Sequence, residues 1–276
     1  DIDENIVSKL WKFADDSKIC NKVNNEKDAD IIKSDLKLLC KWSEDWQMLF
    51  NVDKCIVMHM GYNNKNYDYA MGGNTLKSVK QERDLGVIVQ INGKVSEQCA
   101  MAASKANQVL GMIKRNIKFK SKDIIIKLYK ALVRPRLEYC VQAWCPSLLK
   151  DIELLEKVQR RATKMIEGFK YMGYEKRLRK TGLTNLTTRR RRGDLIETFK
   201  ILKGFDKIEP NKLFTLSKNR RVRGHSLKLA KARSRLNIRR DYFSQRVVNH
   251  WNKLPQNVIN AKSINAFKNK LDVLNY

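Results

Sequence analysis

The spacing of apolar and polar residues predicts strands and one long helix in the first third of the chain. Apolar residues recur at three- and four-residue steps over 25–49, the spacing of a helix with one packed face. Short runs that favour strands occupy 55–60, 67–76 and 83–89, and the second of these contains the Gly-Gly-Asn turn of a predicted hairpin. The pattern up to residue 92 therefore predicts an α+β unit.

From residue 96 onward the pattern is helical almost throughout. Ser96 is the predicted N-cap of a helix over 97–116, and 204–210 has the composition of a linker. Further helices, bounded by polar or proline-containing turns, are predicted over 122–132, 136–144, 151–168, 174–180, 186–202, 237–251 and 261–274. We therefore expect three regions: a mixed region over 1–92, helices over 93–203, and a basic helical region over 204–276.

The helix predicted over 151–168 has the clearest division into two faces. On a wheel of 100° per residue, one side carries the apolar residues Ile152, Leu155, Val158, Ala162, Met165 and Ile166. The nearly opposite side carries four cations, which are Lys157, Arg160, Arg161 and Lys164. The pattern predicts that one face packs and that the other contacts phosphates.

Formal net charge is +28, and it is unevenly distributed. Residues 1–92 carry 13 Lys and Arg against 15 Asp and Glu, a net of −2, whereas residues 93–276 carry 44 against 14, a net of +30. A merely solvated basic face on this scale would destabilise the fold by self-repulsion. The distribution predicts a polyanionic partner for the second part, with nucleic acid as the first candidate and an anionic membrane surface as the second.

Two stretches concentrate this charge. Arg189, Arg190, Arg191 and Arg192 follow one another near the start of the helix predicted over 186–202. Consecutive residues point in different directions around a helix, so some of these arginines must face solvent or a partner. A nuclear-import signal is a second interpretation of this run. The other stretch, 219–240, is rich in Lys and Arg and contains no acidic residue.

Cysteine and histidine usage predicts an intracellular protein without zinc. The six cysteines form no CxxC pair and the three histidines lie far apart, so the sequence contains no recognisable zinc-binding motif. Reduced core thiols in a nuclear or cytoplasmic compartment explain the cysteines. The chain has no signal peptide and no apolar run of about 18 residues, so no membrane-spanning segment is expected, and nucleic acid rather than a membrane is the expected partner. Because it begins without methionine, we expect it to be part of a longer protein.

Two adjacent carboxylates, Asp15 and Asp16, lie between the strand-favouring runs 6–13 and 17–20. This arrangement predicts a hairpin with acid at its tip. Carboxylate oxygens are the ligands that Mg²⁺ prefers, so the pair is a candidate metal site. Adjacent aspartates are also common in turns that only face water. The pair by itself leaves both interpretations open.

An ordered series of segments resembles the reverse transcriptases. Phe13-Ala14-Asp15-Asp16, 46–55 and 82–87 resemble the third, fourth and fifth palm motifs in their proper order. Further segments resemble the thumb and distal region of jockey-like non-LTR retrotransposon polymerases, and they cover 129–140, 155–165, 174–178, 189–195 and 251–255. The resemblance spans nearly the whole chain and implies a partial polymerase palm, a mostly helical thumb and a distal helical region.

The resemblance also implies an activity and its residues. Such enzymes are RNA-directed DNA polymerases that extend a DNA primer on an RNA template with deoxynucleoside triphosphates and two Mg²⁺ ions. Asp15 matches the metal-binding carboxylate and Asp16 its less direct neighbour. Lys54 matches the lysine that stabilises the leaving pyrophosphate. Leu85 and Gly86 match the primer grip, a tight hairpin that contacts the primer backbone.

The family's first two palm motifs, its fingers and its endonuclease have no counterpart in this sequence. The resemblance therefore implies the C-terminal portion of a polymerase that is inactive alone. The alternative is a catalytically dead remnant that only binds nucleic acid, with phosphate contacts from the four cations of 151–168 and from Arg189 to Arg192. A third interpretation, an unrelated basic structural protein, leaves the order of the motifs unexplained.

Overall fold

The computed structural model describes residues 1–217 and 224–274. The chain divides into two compact units, Asp1–Lys94 and Val95–Tyr276. The boundary thus lies two residues from the one that the sequence predicts. All strands of the described residues belong to the first unit, and helices dominate the second, which agrees with the predicted α+β class. Part of the basic stretch 219–240 lies outside the described residues.

The first unit, every residue of which is described, combines one long helix with short strand pairs. Its elements are β1 (Lys9–Phe13), β2 (Asp16–Cys20), α1 (Glu26–Asp45), β3 (Ile56–Val57), β4 (Ala70–Met71), β5 (Asn74–Thr75), β6 (Lys77–Ser78), β7 (Gln81–Asp84) and β8 (Val87–Gln90). The pairs β1–β2, β4–β5 and β7–β8 are antiparallel hairpins, and β3 pairs with β6 in parallel.

Helix α1 organises the first unit because it contacts the hairpin in two ways. Its buried Leu36 and Leu39 belong to the apolar core that Leu10 of β1 and Ile19 of β2 also contact. Its Asp35, 1% exposed, accepts hydrogen bonds from the backbone N–H groups of Val7 and Ser8, just before β1. The helix ends at Asp45 rather than at the predicted residue 49. The chain leaves the helix through a left-handed residue at 47, which a continuing helix does not allow.

The stretch 83–89, predicted as a single strand, is a hairpin instead. Leu85 has φ 45° and Gly86 has φ 86°, and two consecutive positive φ angles reverse the chain between β7 and β8. The prediction was wrong because a leucine rarely adopts this conformation, so the apolar pattern hid the turn. The glycine turn predicted at 72–74 is confirmed, since Gly72 and Gly73 both have positive φ between β4 and β5.

The second unit is helical. Its helices are α2 (Ser96–Asn116), α3 (Lys122–Leu128), α4 (Arg134–Glu138), α5 (Val141–Trp144), α6 (Leu149–Lys164), α7 (Tyr174–Thr181), α8 (Leu186–Leu202), α9 (Asn237–Asp241), α10 (Phe243–Arg246), α11 (Val248–Trp251), α12 (Gln256–Ile259) and α13 (Ile264–Val273). The predicted helix over 186–202 is confirmed to the residue. The one predicted over 237–251 is three short helices.

The helix predicted to stop before Pro135 continues through it. A π-helical segment, Tyr129–Val133, joins α3 to α4, and the Arg134 amide donates to the Tyr129 carbonyl five residues back. Pro135 occupies the first turn of α4, where its missing N–H is tolerated. Ser96 also differs from its prediction, because it is the first residue of α2 and donates its hydroxyl to Asp151 at 2.7 Å.

The C-terminal region packs onto α8 and does not form a separate unit. Phe199 of α8 stacks on Phe267 of α13, with ring centroids 4.1 Å apart and an interplanar angle of 12°. Trp251 of α11 completes this core and is fully buried. Large fully buried aromatics contribute the most apolar area to a core. The described part of 204–276 is therefore held to α8 by burial.

No helix in either described range of the chain is both long enough and apolar enough to cross a membrane.

Candidate functional site

The acid-tipped hairpin has one packed face and one exposed face. Side chains alternate along a strand, and cross-strand partners share a face. Leu10 and its partner Ile19 contact the core, whereas Trp11 (51% exposed) and Phe13 (63% exposed) are on the opposite face. Asp16 pairs with Phe13, so its carboxylate belongs to the exposed face. The candidate metal ligand thus lies on a surface that includes two exposed aromatic side chains.

The turn of this hairpin places Asp15 at the tip. The two turn residues are Ala14 and Asp15, and Ala14 has φ 53°, a conformation that residues with a side chain rarely adopt. Asp15 and Asp16 are both exposed, and neither carboxylate forms an ion pair with another described residue. The two carboxylates are therefore available to a cation from solution.

The residues that the resemblance assigns to the primer grip lie in the neighbouring hairpin. The Lys18 ammonium on β2 contacts the carboxylate of Asp84, the last residue of β7. Asp84 directly precedes the turn residues Leu85 and Gly86, and the Leu85 side chain is 52% exposed. The structure therefore brings the second hairpin to the hairpin that carries Asp15.

Lys54 lies in the same unit, in a short 3₁₀ turn over Val52–Lys54. Val52 packs against the core, and Lys54 is exposed. Its backbone N–H donates to Asn51 at 3.1 Å, which fixes the turn but leaves the side chain unrestrained. Among the described residues, no hydrogen bond or ion pair joins Lys54 to either hairpin carboxylate.

The metal site that the resemblance implies is only partly provided. Two exposed carboxylates are suitable donors for Mg²⁺, which takes oxygen ligands. Across the described ranges, however, no cluster of three or more His, Cys, Asp or Glu side chains is arranged to hold a metal ion. Asp15 and Asp16 can therefore be part of a metal site, and further donors are required to complete it.

The four cations predicted on one face of α6 do share that face. Lys157, Arg160, Arg161 and Lys164 are exposed, while Leu155 and the other apolar residues of the opposite side are buried or half-buried. The four cations line a cleft of about 380 Å³ between α6 and the start of α7. The helical wheel is confirmed here because α2 covers the apolar side of α6 and leaves the charged side open.

Two residues of α7 that sequence reasoning missed complete this cleft. Arg177 contributes a fifth cation and third guanidinium, donating from Nε to Thr163 at 3.1 Å and from Nη1 to the Met172 carbonyl at 3.0 Å. The Arg160 guanidinium lies 4.5 Å from the centre of the Tyr174 ring, a cation–π contact. These contacts hold the cationic side chains in place at the wall of the cleft.

A buried polar network behind the cleft positions Tyr174. Tyr129 donates its hydroxyl to Gln159 at 2.7 Å, and Gln159 donates to the Tyr174 hydroxyl at 2.8 Å. That hydroxyl also contacts the Glu156 carboxylate, which accepts the backbone N–H of Leu186 at 2.9 Å. Burial raises the pKa of Tyr129 and of Tyr174, so both stay protonated and can donate. Sequence analysis could have found this network from Glu156 and Gln159, two polar residues of α6 that lie at and beside its apolar side.

The arginine run is largely engaged inside the second unit. Arg189 forms a two-point ion pair with Glu138 of α4 at 2.5 and 3.0 Å, and this hydrogen-bonded pairing raises the pKa of Arg189. Arg192 forms a two-point pair with Asp272 of α13 at 2.8 and 3.0 Å. Two-point arginine pairs are the stronger kind. These two arginines connect α8 to its neighbours.

The other two arginines of the run lie elsewhere. Arg190 is only 3% exposed, so it does not belong to an exposed basic surface, and its predicted contact with a phosphate stays a prediction. Arg191 is half-buried and forms no ion pair with a described carboxylate. The four arginines therefore do not form one exposed basic strip, because the helix turns each of them toward a different neighbour.

Comparisons of the chain with protein-family models, with curated proteins and with solved structures found no match.

Proposed function

We propose that this chain is the C-terminal portion of an RNA-directed DNA polymerase of a jockey-like non-LTR retrotransposon, and that it holds the template–primer duplex in the basic cleft of α6 and α7. One observation carries this proposal. Four exposed cationic side chains and the buried Arg177 line the cleft, and no carboxylate of the described residues lines it with them. The assignment to the polymerase family rests on the motif order in the sequence.

Such a cleft suits backbone phosphates. Lys157 and Lys164 are seven residues apart on α6, about 10 Å along the helix axis, a distance that allows contact with more than one phosphate. Arg160 and Arg161 add planar guanidinium groups that match the geometry of phosphate oxygens. Contacts of this kind position a duplex without reading its bases. The cleft therefore binds hybrids of any sequence with similar affinity.

In the same proposal, the first unit provides part of the catalytic site. Asp15 binds metal, with Asp16 as its less direct neighbour, and Lys54 stabilises the leaving pyrophosphate. The turn of Leu85 and Gly86 contacts the primer. Mg²⁺, when bound, supplies activation of the primer hydroxyl and neutralises developing charge. The supporting observations are the exposed, unpaired carboxylates and the ion pair that joins the two hairpins.

The nucleic-acid-binding part of the proposal is tested by titrating a labelled RNA–DNA hybrid with the chain at several salt concentrations. Fluorescence anisotropy then gives the affinity, whose logarithm falls with log salt by about 0.9 for each phosphate contact on a duplex. Lys157→Gln and Lys164→Gln each weaken binding and reduce this slope by about one contact. Lys262→Gln, at an exposed lysine outside the cleft, is the matched control and leaves both unchanged.

Two results contradict this assignment. If the affinity for the hybrid does not depend on salt, phosphate binding is excluded. If the cleft variants and the control variant lose affinity equally, the cleft is excluded as the binding site.

The second candidate function is nucleic-acid binding without catalysis, which the incomplete donor set at the hairpin favours. Primer extension by a longer polymerase that includes this chain separates the two candidates. If the chain is part of the catalytic site, Asp15→Asn abolishes extension and leaves hybrid affinity intact. Full extension by Asp15→Asn rules out the metal-binding role.

A further inference from the structure

A second cavity in the helical unit lies apart from the basic cleft. It has a volume of about 120 Å³ and is lined by residues of α8, of the turn after α5, and of α10 and α11. Its charged lining residues are Arg190, Arg191, Asp194 and Arg246, and His250 also lines it. The function proposed above uses none of these groups in this cavity.

One ion pair in the wall is complete by itself. Arg246 donates to both carboxylate oxygens of Asp194, from Nε at 2.8 Å and from Nη2 at 2.9 Å. Nη2 of Arg246 also donates to the Gln142 carbonyl at 3.2 Å. This pair is nearly neutral as a unit. The remaining two arginines therefore leave the wall with two uncompensated positive charges.

Arg190 is the more unusual of these two arginines. It is 3% exposed and forms no ion pair with a described carboxylate. One guanidinium nitrogen, Nη2, donates to Thr187 at 3.3 Å, whereas Nη1 is fully buried and has no hydrogen-bond partner among the described residues. A buried charge with an unused donor is costly unless an opposite charge accompanies it. Asp194, one turn further along α8, attracts this charge, but both of its carboxylate oxygens accept hydrogen bonds from Arg246. The thiol of Cys145 is a further, uncharged contact of Arg190. An anion in the cavity would therefore find a guanidinium that no carboxylate fully compensates.

We propose that this cavity binds a phosphate-sized oxyanion, held by the guanidinium of Arg190 and by the second positive charge of Arg191. The cavity volume of about 120 Å³ is several times the space that one water molecule needs, so the cavity has room for one phosphate group. The anion is either a free phosphate ion or the terminal phosphate of a nucleic acid strand. The site stands whether or not the chain is part of a polymerase.

The chemistry of the wall suits an oxyanion better than a cation. The guanidinium of Arg190 is planar and offers directed N–H donors, which match the oxygens of phosphate. Burial, followed by the positive charges of Arg191, Lys253 and Lys231, lowers the pKa of His250. A neutral His250 adds no charge at pH 7, so the two unpaired arginines define the attraction.

The test compares thermal unfolding of the 276-residue chain in inorganic phosphate and in chloride at equal ionic strength. We expect phosphate to raise the Tm of the natural chain as ligand binding to the folded state does. Arg190→Met, which keeps the volume and removes the charge, weakens phosphate binding at least about tenfold, because hydrogen bonds between charged groups are the strong ones. Lys262→Gln, at an exposed lysine outside the cavity, retains the full rise in Tm in phosphate.

Two further measurements keep the test decisive if Arg190→Met folds poorly. Arg191→Gln changes a half-buried position, and we expect it to weaken phosphate binding several-fold without loss of the fold. In chloride alone, Arg190→Met unfolds at the same Tm as the natural chain or higher, because it removes an uncompensated buried charge. A purely structural arginine would instead lower the Tm when it is replaced.

Binding of two oligonucleotides that differ only at the 5′ end distinguishes a free phosphate ion from the terminal phosphate of a strand. Stronger binding of a 5′-phosphorylated strand than of its 5′-hydroxyl twin, abolished by Arg190→Met, identifies a terminal phosphate. Equal binding of the two strands, together with an Arg190-dependent response to inorganic phosphate, identifies the free ion. The proposal is overturned if phosphate and chloride affect the natural chain equally, or if Arg190→Met responds to phosphate as the natural chain does.

Discussion

The ammonium of Lys18 contacts the carboxylate of Asp84, and this ion pair joins the hairpin that presents Asp15 to the hairpin that turns at Leu85 and Gly86. Both side chains are partly exposed, at 57% and 38%. Exposed ion pairs contribute little to stability. The contact therefore orients the two hairpins more than it stabilises the first unit.

A double-mutant cycle on this pair should give a small coupling energy. Lys18→Met and Asp84→Asn, singly and together, are expected to yield about 0.2 to 1 kcal/mol at low salt and less at high salt, because solvent and ions screen exposed charges. Urea unfolding of the four chains measures it. The exposed pair Lys33 and Asp30, within one helix, is a control of similar size. A salt-independent coupling of several kcal/mol would contradict this prediction.

Asp35 should contribute far more to stability than its exposed counterparts on α1. It is 1% exposed and accepts hydrogen bonds from Val7 N at 3.1 Å and Ser8 N at 2.9 Å. Asp35→Ala leaves two backbone donors without an acceptor, and we expect a loss of about 2 to 4 kcal/mol in the free energy of unfolding. Asp30→Ala, on the same helix but exposed, should cost under about 0.5 kcal/mol. Chemical denaturation compares the two, and equal losses would refute the role given to Asp35.

Tyr129→Phe tests the buried network behind the basic cleft. The change removes one hydroxyl and leaves the Gln159 amide oxygen unpaired in the core, so we expect a loss of about 1 to 3 kcal/mol in the free energy of unfolding. The control is Tyr171→Phe, at a side chain that is 92% exposed, which should be neutral. The network also positions Tyr174 at the cleft. Tyr129→Phe should therefore weaken hybrid binding. Unchanged affinity would show that the network does not influence binding in the cleft.

Acid should destabilise the second unit through His225. Its Nε2 lies 2.9 Å from the Trp251 carbonyl and donates to it, while Nδ1 is buried without a partner among the described residues. Burial lowers the pKa of His225 below its ordinary value of 6.5. The unfolded chain therefore binds this proton more readily than the folded chain, so stability falls as pH drops through 6.5 toward the lower folded pKa.

The measurement is the free energy of unfolding from pH 7.5 to 5, in the natural chain and in His225→Gln. The glutamine keeps a donor for the Trp251 carbonyl and cannot titrate, so its curve should be flatter across this window. Parallel curves would show that His225 does not contribute to the acid sensitivity.

The spacing of apolar residues was sufficient to predict several elements. α1, α6 and α8 appear in the apolar pattern because a helix packed on one side must repeat its apolar residues at three and four positions. The change of pattern near residue 92 predicted the boundary between the units for the same reason. The two faces of α6 also followed from its sequence, since the position of a side chain around a helix depends only on its number.

Other features do not appear in the apolar pattern, either because the backbone departs locally from an α-helix or because they depend on residues distant in sequence. Pro135 does not end its helix, because a π-helical segment removes the need for its N–H. The arginine run faces Glu138 on one side and Asp272 on the other, and only the packing of α4 and α13 against α8 brings those carboxylates within reach.

The sequence by itself determined where the long helices form, which face of α6 carries charge, and that Asp15 lies at the tip of a hairpin with Asp16 beside it. These features arise from local spacing and turn chemistry. The tertiary structure decided which of the many cations are free. Arg189 and Arg192 are paired and Arg190 is buried beside a cavity, whereas Lys157, Arg160, Arg161 and Lys164 share an open cleft. The reason is physical: a charge is available to a partner only where the fold supplies no carboxylate for it and leaves it within reach of solvent.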